Sequence, residues 1–315
     1  MKKLLGKTGL EINPLVYGTL PLGPLQADLT PEAGGELIRY ALEQGVTLLD
    51  TAELYGTYRH INQGIKGYTG DLLVASKTHA TTADAARTHI ERALREIDLS
   101  CLDIVHLHGA RLQDPFVERA EVFFELLKMK QEGMVRHLGL SGHYICAIEK
   151  AADHPDIEVV HPLINRTGMG ILDGSAEQMS AAIKKCADAG KGVYAMKALA
   201  GGNLISEARA SFRYVLDLPG VHALAVGLLS KEEIDGNLKL FNQDVAEPEE
   251  WEKLESRKRD IRIMEQFCKG CGQCVPACTN NGISIVEGKA RVNRDDCILC
   301  GYCGAACPEF IIRVV

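Results

Sequence analysis

Residues 30–50, T-P-E-A-G-G-E-L-I-R-Y-A-L-E-Q-G-V-T-L-L-D, decide the fold. Thr30 can cap a helix with its hydroxyl, and Pro31 suits the first helical position, where a missing N–H costs nothing. Gly45 stops that helix, and 46–50 reads as a short apolar strand ending on Asp50. The phrase of helix, glycine and buried strand then recurs. Strands are expected at 15–18, 46–50, 72–77, 102–108, 135–141, 159–165, 192–199 and 223–229. In the helix after 72–77, Thr81 and Asp84 read as a capping box, and Ile90, Ala93, Leu94 and Ile97 recur at helical spacing. The next helix is expected to carry Phe116, Ala120, Phe123, Phe124 and Leu127 on one face before Gly133. A later one, with Met179, Ile183 and Cys186, stops at Gly190, and another falls near 206–218.

Alternating strands and helices imply a parallel sheet, and eight such units imply a closed (β/α)8 TIM barrel of the α/β class. A doubly wound open sheet is the alternative, but no G-x-G-x-x-G follows the first strand. The chain has 315 residues, enough for a barrel of about 250 residues and a small second module. Its 46% hydrophobic and 24% charged residues are those of a globular protein. The net charge of −7 argues against nucleic acid and against anionic membranes as partners. No apolar run is long enough for a signal peptide or a membrane span.

The second module is written in cysteine. Residues 268–278 read C-K-G-C-G-Q-C-V-P-A-C, and 297–308 read C-I-L-C-G-Y-C-G-A-A-C-P. That is C-x2-C-x2-C-x3-C twice, the spacing of bacterial two-cluster ferredoxins. Three nearby thiolates wrap one iron–sulfur cube while the fourth, beyond the turn of the chain, ligates the other. This pattern assigns one [4Fe–4S] cluster to Cys268, Cys271, Cys274 and Cys307, and a second to Cys297, Cys300, Cys303 and Cys278. Zinc sites more often pair two C-x-x-C knuckles, and disulfides belong to oxidising compartments. Cys101, Cys146 and Cys186, outside the run, sit in apolar context and are expected to be buried and inert. A barrel is therefore expected over 1–245, a charged helical linker over 246–266, and a ferredoxin-like domain over 267–315. In that domain 283–286 and 290–292 should form a hairpin, and 310–315 a further strand. The clusters point to a cytoplasmic protein of an anaerobic or oxygen-protected cell.

Chemistry in such a barrel sits at the C-terminal ends of the strands. Asp50, Lys77 and His108 close three successive strands, and Tyr55 follows five residues after Asp50. A phenol near pKa ~10 is a poor acid or base at neutral pH, and an adjacent ammonium would lower it. A carboxylate would hold that ammonium, and a histidine at the same rim could polarise a carbonyl oxygen. Each residue also has an ordinary structural reading, as helix cap, loop aromatic, solvated strand end or core histidine. Their joint placement points to an acid–base site built on tyrosine.

D50-T-A-E-L-Y-G56, V74-A-S-K77 and D103-I-V-H-L-H108 resemble the signatures of the aldo-keto reductase superfamily. So do L5-G-K-T-G-L-E-I-N-P14 with Gly18-Thr19, A195-M-K-A-L-A-G-G202 and G227-L-L-S-K-E-E-I-D-G-N237. The resemblance covers roughly 1–245. It implies NAD(P)H-linked reduction of a small-molecule carbonyl, or oxidation of the alcohol. Tyr55 would be the proton donor, Lys77 paired with Asp50 would tune it, and His108 would orient the carbonyl. It implies nucleotide contacts at Thr19, Asp50, Ser141, His161, Met196, Ser230, Glu233 and Asn237. At several of these the chain departs from the usual pattern. Gly142 follows Ser141 where asparagine is usual, His161 replaces a glutamine, and Met196 stands where an aromatic stacks on nicotinamide. Ser230 stands where a cation often grips the 2′-phosphate of NADP, so the resemblance implies no NADP preference. Aldo-keto reductases with cysteine-rich C-terminal extensions form a subgroup whose A-M-K segment resembles this one.

Three accounts of the clusters follow. They could be structural or redox-sensing parts of a carbonyl reductase. They could exchange electrons with a ferredoxin or flavoprotein partner and couple it to chemistry in the barrel, which calls for a converter such as flavin. Or the barrel could serve as a redox-sensitive binding module, against which the intact tetrad argues.

Overall fold

The computed structural model describes residues 2–242, 248–309 and 311–314. Eight parallel strands close into a barrel: β1 Leu15–Gly18, β2 Leu48–Asp50, β3 Leu73–Thr78, β4 Leu102–Gly109, β5 Val135–Gly142, β6 Val159–Pro162, β7 Gly192–Met196 and β8 Ala223–Gly227. Neighbours follow chain order, and β8 pairs with β1 to seal the ring. A helix follows each strand, from Pro31–Glu43 after β1 to Lys231–Phe241 after β8. The opening helix forms as its sequence dictates, with the Thr30 side chain accepting from the Ala33 N–H at 3.2 Å and Pro31 in its first turn.

Strand periodicity sorts the side chains. Val16, Leu48, Ala75, Ile104, Val159, Tyr194 and Ala223 point inward and pack against Leu5, Leu10 and Ile12. Those last residues belong to an N-terminal hairpin, Lys3–Leu4 with Glu11–Ile12, that plugs one end of the barrel. Two residues further along the strands the inward positions turn polar: Asp50, Lys77, His106 and His161. The other strand face meets the helices in the main hydrophobic core. Charged groups inside the barrel are thereby confined to its open end, where sequence period two puts them.

Local expectations shift in places. The helix Ala83–Ile97 is capped by Thr82, one residue after Thr81, because the Thr82 side chain reaches the Ala85 N–H. In Ala120–Gln131 the buried stripe is Val122, Phe123, Leu126 and Met129, while Phe124 is 66% exposed. At 100° per residue the stripe centres close to Val122 and Leu126, and Phe124 falls on the opposite side of the helix. Of the three outlying cysteines only Cys186 is buried; Cys101 and Cys146 are half-buried.

Residues 243–247, which contain the expected boundary at 245/246, lie outside the described residues. The linker is helical over Pro248–Glu255 only. Ile261–Ile263 is a strand that pairs antiparallel with Ile312–Val314, so this part of the expected linker is built into the small module. Ile283–Val286 and Lys289–Val292 form the hairpin, turned by Glu287 and Gly288 at φ 50° and 71°. Among the described residues no helix is long and apolar enough to cross a membrane.

Candidate active site

The strand-end residues meet in one hydrogen-bonded chain. Lys77 Nζ donates to Asp50 Oδ1 at 2.5 Å and to the Thr51 carbonyl at 2.9 Å. Tyr194 Oη donates to Asp50 Oδ2 at 2.9 Å, and His106 Nε2 lies 2.6 Å from the same hydroxyl. Since the phenol gives its proton to the carboxylate, His106 Nε2–H is the donor to it. His106 Nδ1 is then a bare acceptor, buried without a partner. A Cβ on Gly139 would lie 2.3 Å from that nitrogen, so glycine there makes room for the ring. His161 donates from Nδ1 to the Tyr194 carbonyl at 2.7 Å and stacks on the Tyr194 ring at 4.2 Å. His106 and Tyr194 were not singled out from sequence; the signal available was period two, which puts His106 on the face of His108.

Tyr55 ends a short turn, Glu53–Tyr55, closed by Gly56 at φ 67°. Lys77 Nζ stands 5.0 Å from the centre of the Tyr55 ring. The ammonium thus faces the ring and spends its protons on Asp50 and Thr51, and the expected lowering of the phenol does not occur. Burial pushes Tyr55 well above the usual tyrosine range, with Tyr302 and Asp50 adding to it. Tyr55 is a neutral phenol across the ordinary pH range. His108 Nδ1 lies 3.1 Å from Ser141 Oγ, while His108 Nε2 is buried without a partner. The His79 ring packs edge-on against His108 at 4.0 Å, and neither His79 nitrogen has a partner. Burial, then the Lys77 and His89 charges, pushes His79 down to about 3. Burial also holds His106, His108, His143 and His161 well below the usual histidine range.

A cavity of about 530 Å³ is lined by Asp50, Tyr55, His161, Met196 and Lys197, together with Glu233, Asn237, Trp251 and Arg257 to Arg259. Five of the eight residues expected to contact nucleotide line it: Asp50, His161, Met196, Glu233 and Asn237. The other three are engaged within the protein. Thr19 Oγ1 binds the Asp50 carbonyl and Thr57, Ser141 binds His108, and Ser230 caps the helix Lys231–Phe241.

The small module roofs this end of the barrel. Tyr302 of the module adds to the upward push on the Tyr55 phenol. Leu25, Ala52 and Tyr55 of the barrel pack with Ile298, Cys300 and Tyr302. Arg111 Nη2 donates to Asn281 Oδ1 at 2.5 Å, Asn280 Nδ2 to the Gly170 carbonyl at 3.1 Å, and Asn203 Nδ2 to the Cys297 carbonyl at 2.9 Å. The approach is backbone-tight: a Cβ on Gly201 would lie 1.6 Å from the Ile298 carbonyl oxygen.

All eleven cysteines are unpaired. Cys274 has Cys271, Cys307 and Cys268 as its charged-thiol neighbours. Cys303 has Cys300, Cys278 and Cys297 foremost, and Cys297 has Cys300 and Cys278. Backbone N–H groups of Gly282 and Ala290 point at Cys278 Sγ and Cys268 Sγ, 3.2 and 3.4 Å away. N–H donors aimed at sulfur suit thiolates that carry charge. Among the described residues no three His, Cys, Asp or Glu side chains are placed to hold a single ion. A four-iron cube does not require that, since each iron takes one thiolate.

Residues 14–209 match the Aldo/keto reductase family, and residues 260–308 match a 4Fe-4S dicluster domain. The first match spans more than half of the chain, so the protein belongs to the aldo/keto reductase family and is an oxidoreductase barrel fused to a 4Fe-4S dicluster module. It is 24% identical to L-galactose dehydrogenase of Arabidopsis thaliana over 217 residues, 65% of this chain and 67% of that protein. The chain spans between about half and two thirds of the length of the curated relatives it matches. Among solved structures, a Pseudomonas aeruginosa protein described as an aldo-keto reductase superposes with a TM-score of 0.67 at 26% identity, covering 77% of this chain and 95% of that one. A thermostable aldo-keto reductase crystallised with the inhibitor epalrestat gives a TM-score of 0.63 at 23% identity, covering 81% of this chain and 99% of that one.

Proposed function

We propose that the barrel catalyses reversible NAD(P)H-linked reduction of a small carbonyl compound, with Tyr55 as proton donor. One observation carries the reading. A neutral Tyr55 phenol lines one cavity with Asp50 and His161, and the same cavity is lined by Asn237 and Trp251, whose Oδ1 and Nε1 are buried without partners. A buried donor or acceptor without a partner costs about 1–3 kcal/mol, so such atoms suit an incoming ligand. Asp50, His161 and Met196 would hold the nicotinamide end, and Glu233 and Asn237 the adenosine end. Nicotinamide nucleotide, when bound, would supply hydride to the carbonyl carbon. Tyr55 gives its proton to the carbonyl oxygen, which completes the alcohol, and takes a proton back from solvent once the product leaves. Ser141 donates to His108 Nδ1, which leaves His108 Nε2–H to fix the same oxygen. Lys77, neutralised by Asp50 and facing the Tyr55 ring, supports negative charge as it develops on the phenol.

In this reading Cys268, Cys271, Cys274 and Cys307 hold one [4Fe–4S] cluster, and Cys297, Cys300, Cys303 and Cys278 the other. A second account is favoured by one further contact: Cys300 lines the same cavity as Tyr55 and Met196. Single electrons from a redox protein partner would then enter the barrel cavity beside Cys300, with flavin as a converter to two-electron chemistry. Cys271 and Phe267, both exposed, mark the face such a partner would meet. Anaerobic titration of cluster-replete protein with NADPH and NADH separates the accounts. Nucleotide binding with unbleached clusters, followed by carbonyl turnover, supports the hydride reading. Bleaching of the cluster absorbance supports the electron-transfer account.

A further inference from the structure

The contacts that seat the dicluster module on the barrel are confined to one of its two ligand sets. Just after Cys278, Asn280 Nδ2 donates to the Gly170 carbonyl and Asn281 Oδ1 accepts from Arg111. The Cys297 carbonyl accepts from Asn203 Nδ2, and the Ile298 carbonyl beside it faces Gly201. Gly301, next to Cys300, approaches as closely: a Cβ there would lie 2.4 Å from the Leu25 carbonyl oxygen. Ile298, Cys300 and Tyr302 complete the joint against Leu25, Ala52 and Tyr55. Every one of these module residues stands within three positions of Cys278, Cys297, Cys300 or Cys303.

The other ligand set takes no part. Among the described residues, the hydrogen bonds and ion pairs of 265–277 and 304–309 stay inside the module. Lys289 Nζ donates to the Cys268 carbonyl at 2.7 Å, Lys269 pairs with Glu309, and Arg291 with Glu265. Cys271 is exposed.

The module has little else to fold on. Cys274, Cys303 and Cys307 belong to its small apolar core, and Cys268, Cys278 and Cys297 pack against that core. A small domain built this way draws much of its folding free energy from the metal its thiolates bind. The barrel-facing stretch also holds Leu299 at φ 49°, a left-handed setting that a leucine does not take unaided. Ile298, Leu299 and Cys300 form part of the cavity wall.

We propose that assembly of the second cluster pins 278–282 and 297–303 onto the barrel and so completes the cavity, while the first cluster is dispensable for that closure. Iron–sulfur loading at one ligand set then decides whether the barrel has a closed ligand site. The proposal rests on the ligand assignment given above for the two clusters.

Hydrogen exchange of the full chain tests it. The samples are the cluster-replete parent, the parent stripped of iron by anaerobic chelation and then reconstituted, Cys303→Ala, and Cys271→Ala. The two cysteines lie in different triplets, so each variant addresses one cluster whichever fourth thiolate completes it. Iron content and paramagnetic resonance of the reduced protein identify the cluster that remains. Exchange is read on the barrel side of the joint, at 20–26, 52–55, 168–171 and 201–203. Chelation and Cys303→Ala should each raise it at least about tenfold there, with the helix Ala83–Ile97 unchanged, and reconstitution of the parent should restore protection. Cys271→Ala should keep parental rates at all four segments. A rise in Cys271→Ala equal to that in Cys303→Ala overturns the proposal, and so do parental rates in the chelated chain. A Cys303→Ala chain that loses both clusters must match the chelated parent, and Cys271→Ala then decides. A reconstituted parent that holds no iron yet protects these segments sinks the ligand assignment together with the proposal. An iron-replete parent with equal rates in the two variants sinks the proposal alone.

Discussion

Tyr302, carried by the dicluster module, packs in one cluster with Tyr55 of the barrel and helps to raise its pKa. The residue proposed to give the proton is therefore contacted by the domain proposed to give electrons. Cys300, two residues before Tyr302, adds to the upward push on the Tyr302 phenol. Tyr55→Phe should lower carbonyl reduction by about 10²–10⁴-fold with nucleotide affinity retained. Tyr302→Phe removes the hydroxyl that helps to raise the Tyr55 pKa and should change kcat by no more than about tenfold. Single-turnover rates with nucleotide titrations check both, and undiminished turnover in Tyr55→Phe removes it as the donor.

The same burial sets the pH dependence. His79, His106, His108, His143 and His161 all have folded-state pKa values below the usual 6.5, with His79 at about 3. They are neutral at pH 6 and acquire no charge until the pH falls well below that. Tyr55, Tyr194 and Tyr302 are raised above 10, so they keep their protons through pH 9. The log of kcat should be flat from about pH 6 to 9. An acid limb with an apparent pKa near 6.5 would mean that one of these histidines titrates in turnover.

The chain Lys77–Asp50–Tyr194–His106 is fully buried. Asp50→Asn leaves the Lys77 ammonium facing a neutral amide in an apolar barrel. Breaking a buried pair from one side costs about 3–5 kcal/mol. Tyr194→Phe is milder, because Asp50 keeps Lys77, and should cost about 1–3 kcal/mol as His106 Nε2–H loses its acceptor. Urea unfolding of the two variants, followed by far-UV circular dichroism, should rank them in that order. A Tyr194→Phe variant as stable as the parent would show that the His106 link contributes nothing.

Much of this site was legible because it is strand-coded. Asp50, Lys77 and His108 sit at strand ends, and period two turns them inward together. Tyr194 and Asp50 lie 144 residues apart, and nothing local in either segment announces their bond. Tyr302 stands between Cys300 and Cys303 in the cysteine run, and its place near Tyr55 is decided by how the module docks. Docking in turn depends on Gly201, which looks in sequence like any loop glycine. The Phe124 error has a similar root, since two adjacent phenylalanines look alike until the axis of the helix is fixed by its partners.

Gly201 gives the docking a direct test. Its φ of 72° and the Ile298 carbonyl oxygen against it leave no space for a side chain. Gly201→Ala should leave the barrel folded and loosen the module. Limited proteolysis between residues 255 and 268 should become faster, and hydrogen exchange at 298–302 should rise. Gly45→Ala is the control, since that residue also has positive φ but an added Cβ meets nothing within 4 Å. Equal protection in the two variants would show that the module holds its place without the Gly201 contact.

The crossed ligand assignment makes the sharpest forecast. Cys278 lies 19 residues before Cys297 in sequence, yet it is a thiol neighbour of Cys297 and Cys303. Cys307, at the end of the second run, is instead a neighbour of Cys274. Cys278→Ala should therefore impair the cluster of Cys297, Cys300 and Cys303, the one against Tyr302 and the barrel. Cys307→Ala should impair the cluster of Cys268, Cys271 and Cys274, whose Cys271 is exposed. Iron content should fall in each, and paramagnetic resonance of the reduced protein should retain a different remaining cluster in the two cases. Tyr302→Phe supplies the assignment, because it should perturb the signal that survives in Cys307→Ala and leave unchanged the one that survives in Cys278→Ala. Loss of the same signal in both cysteine variants would rule out crossed ligation.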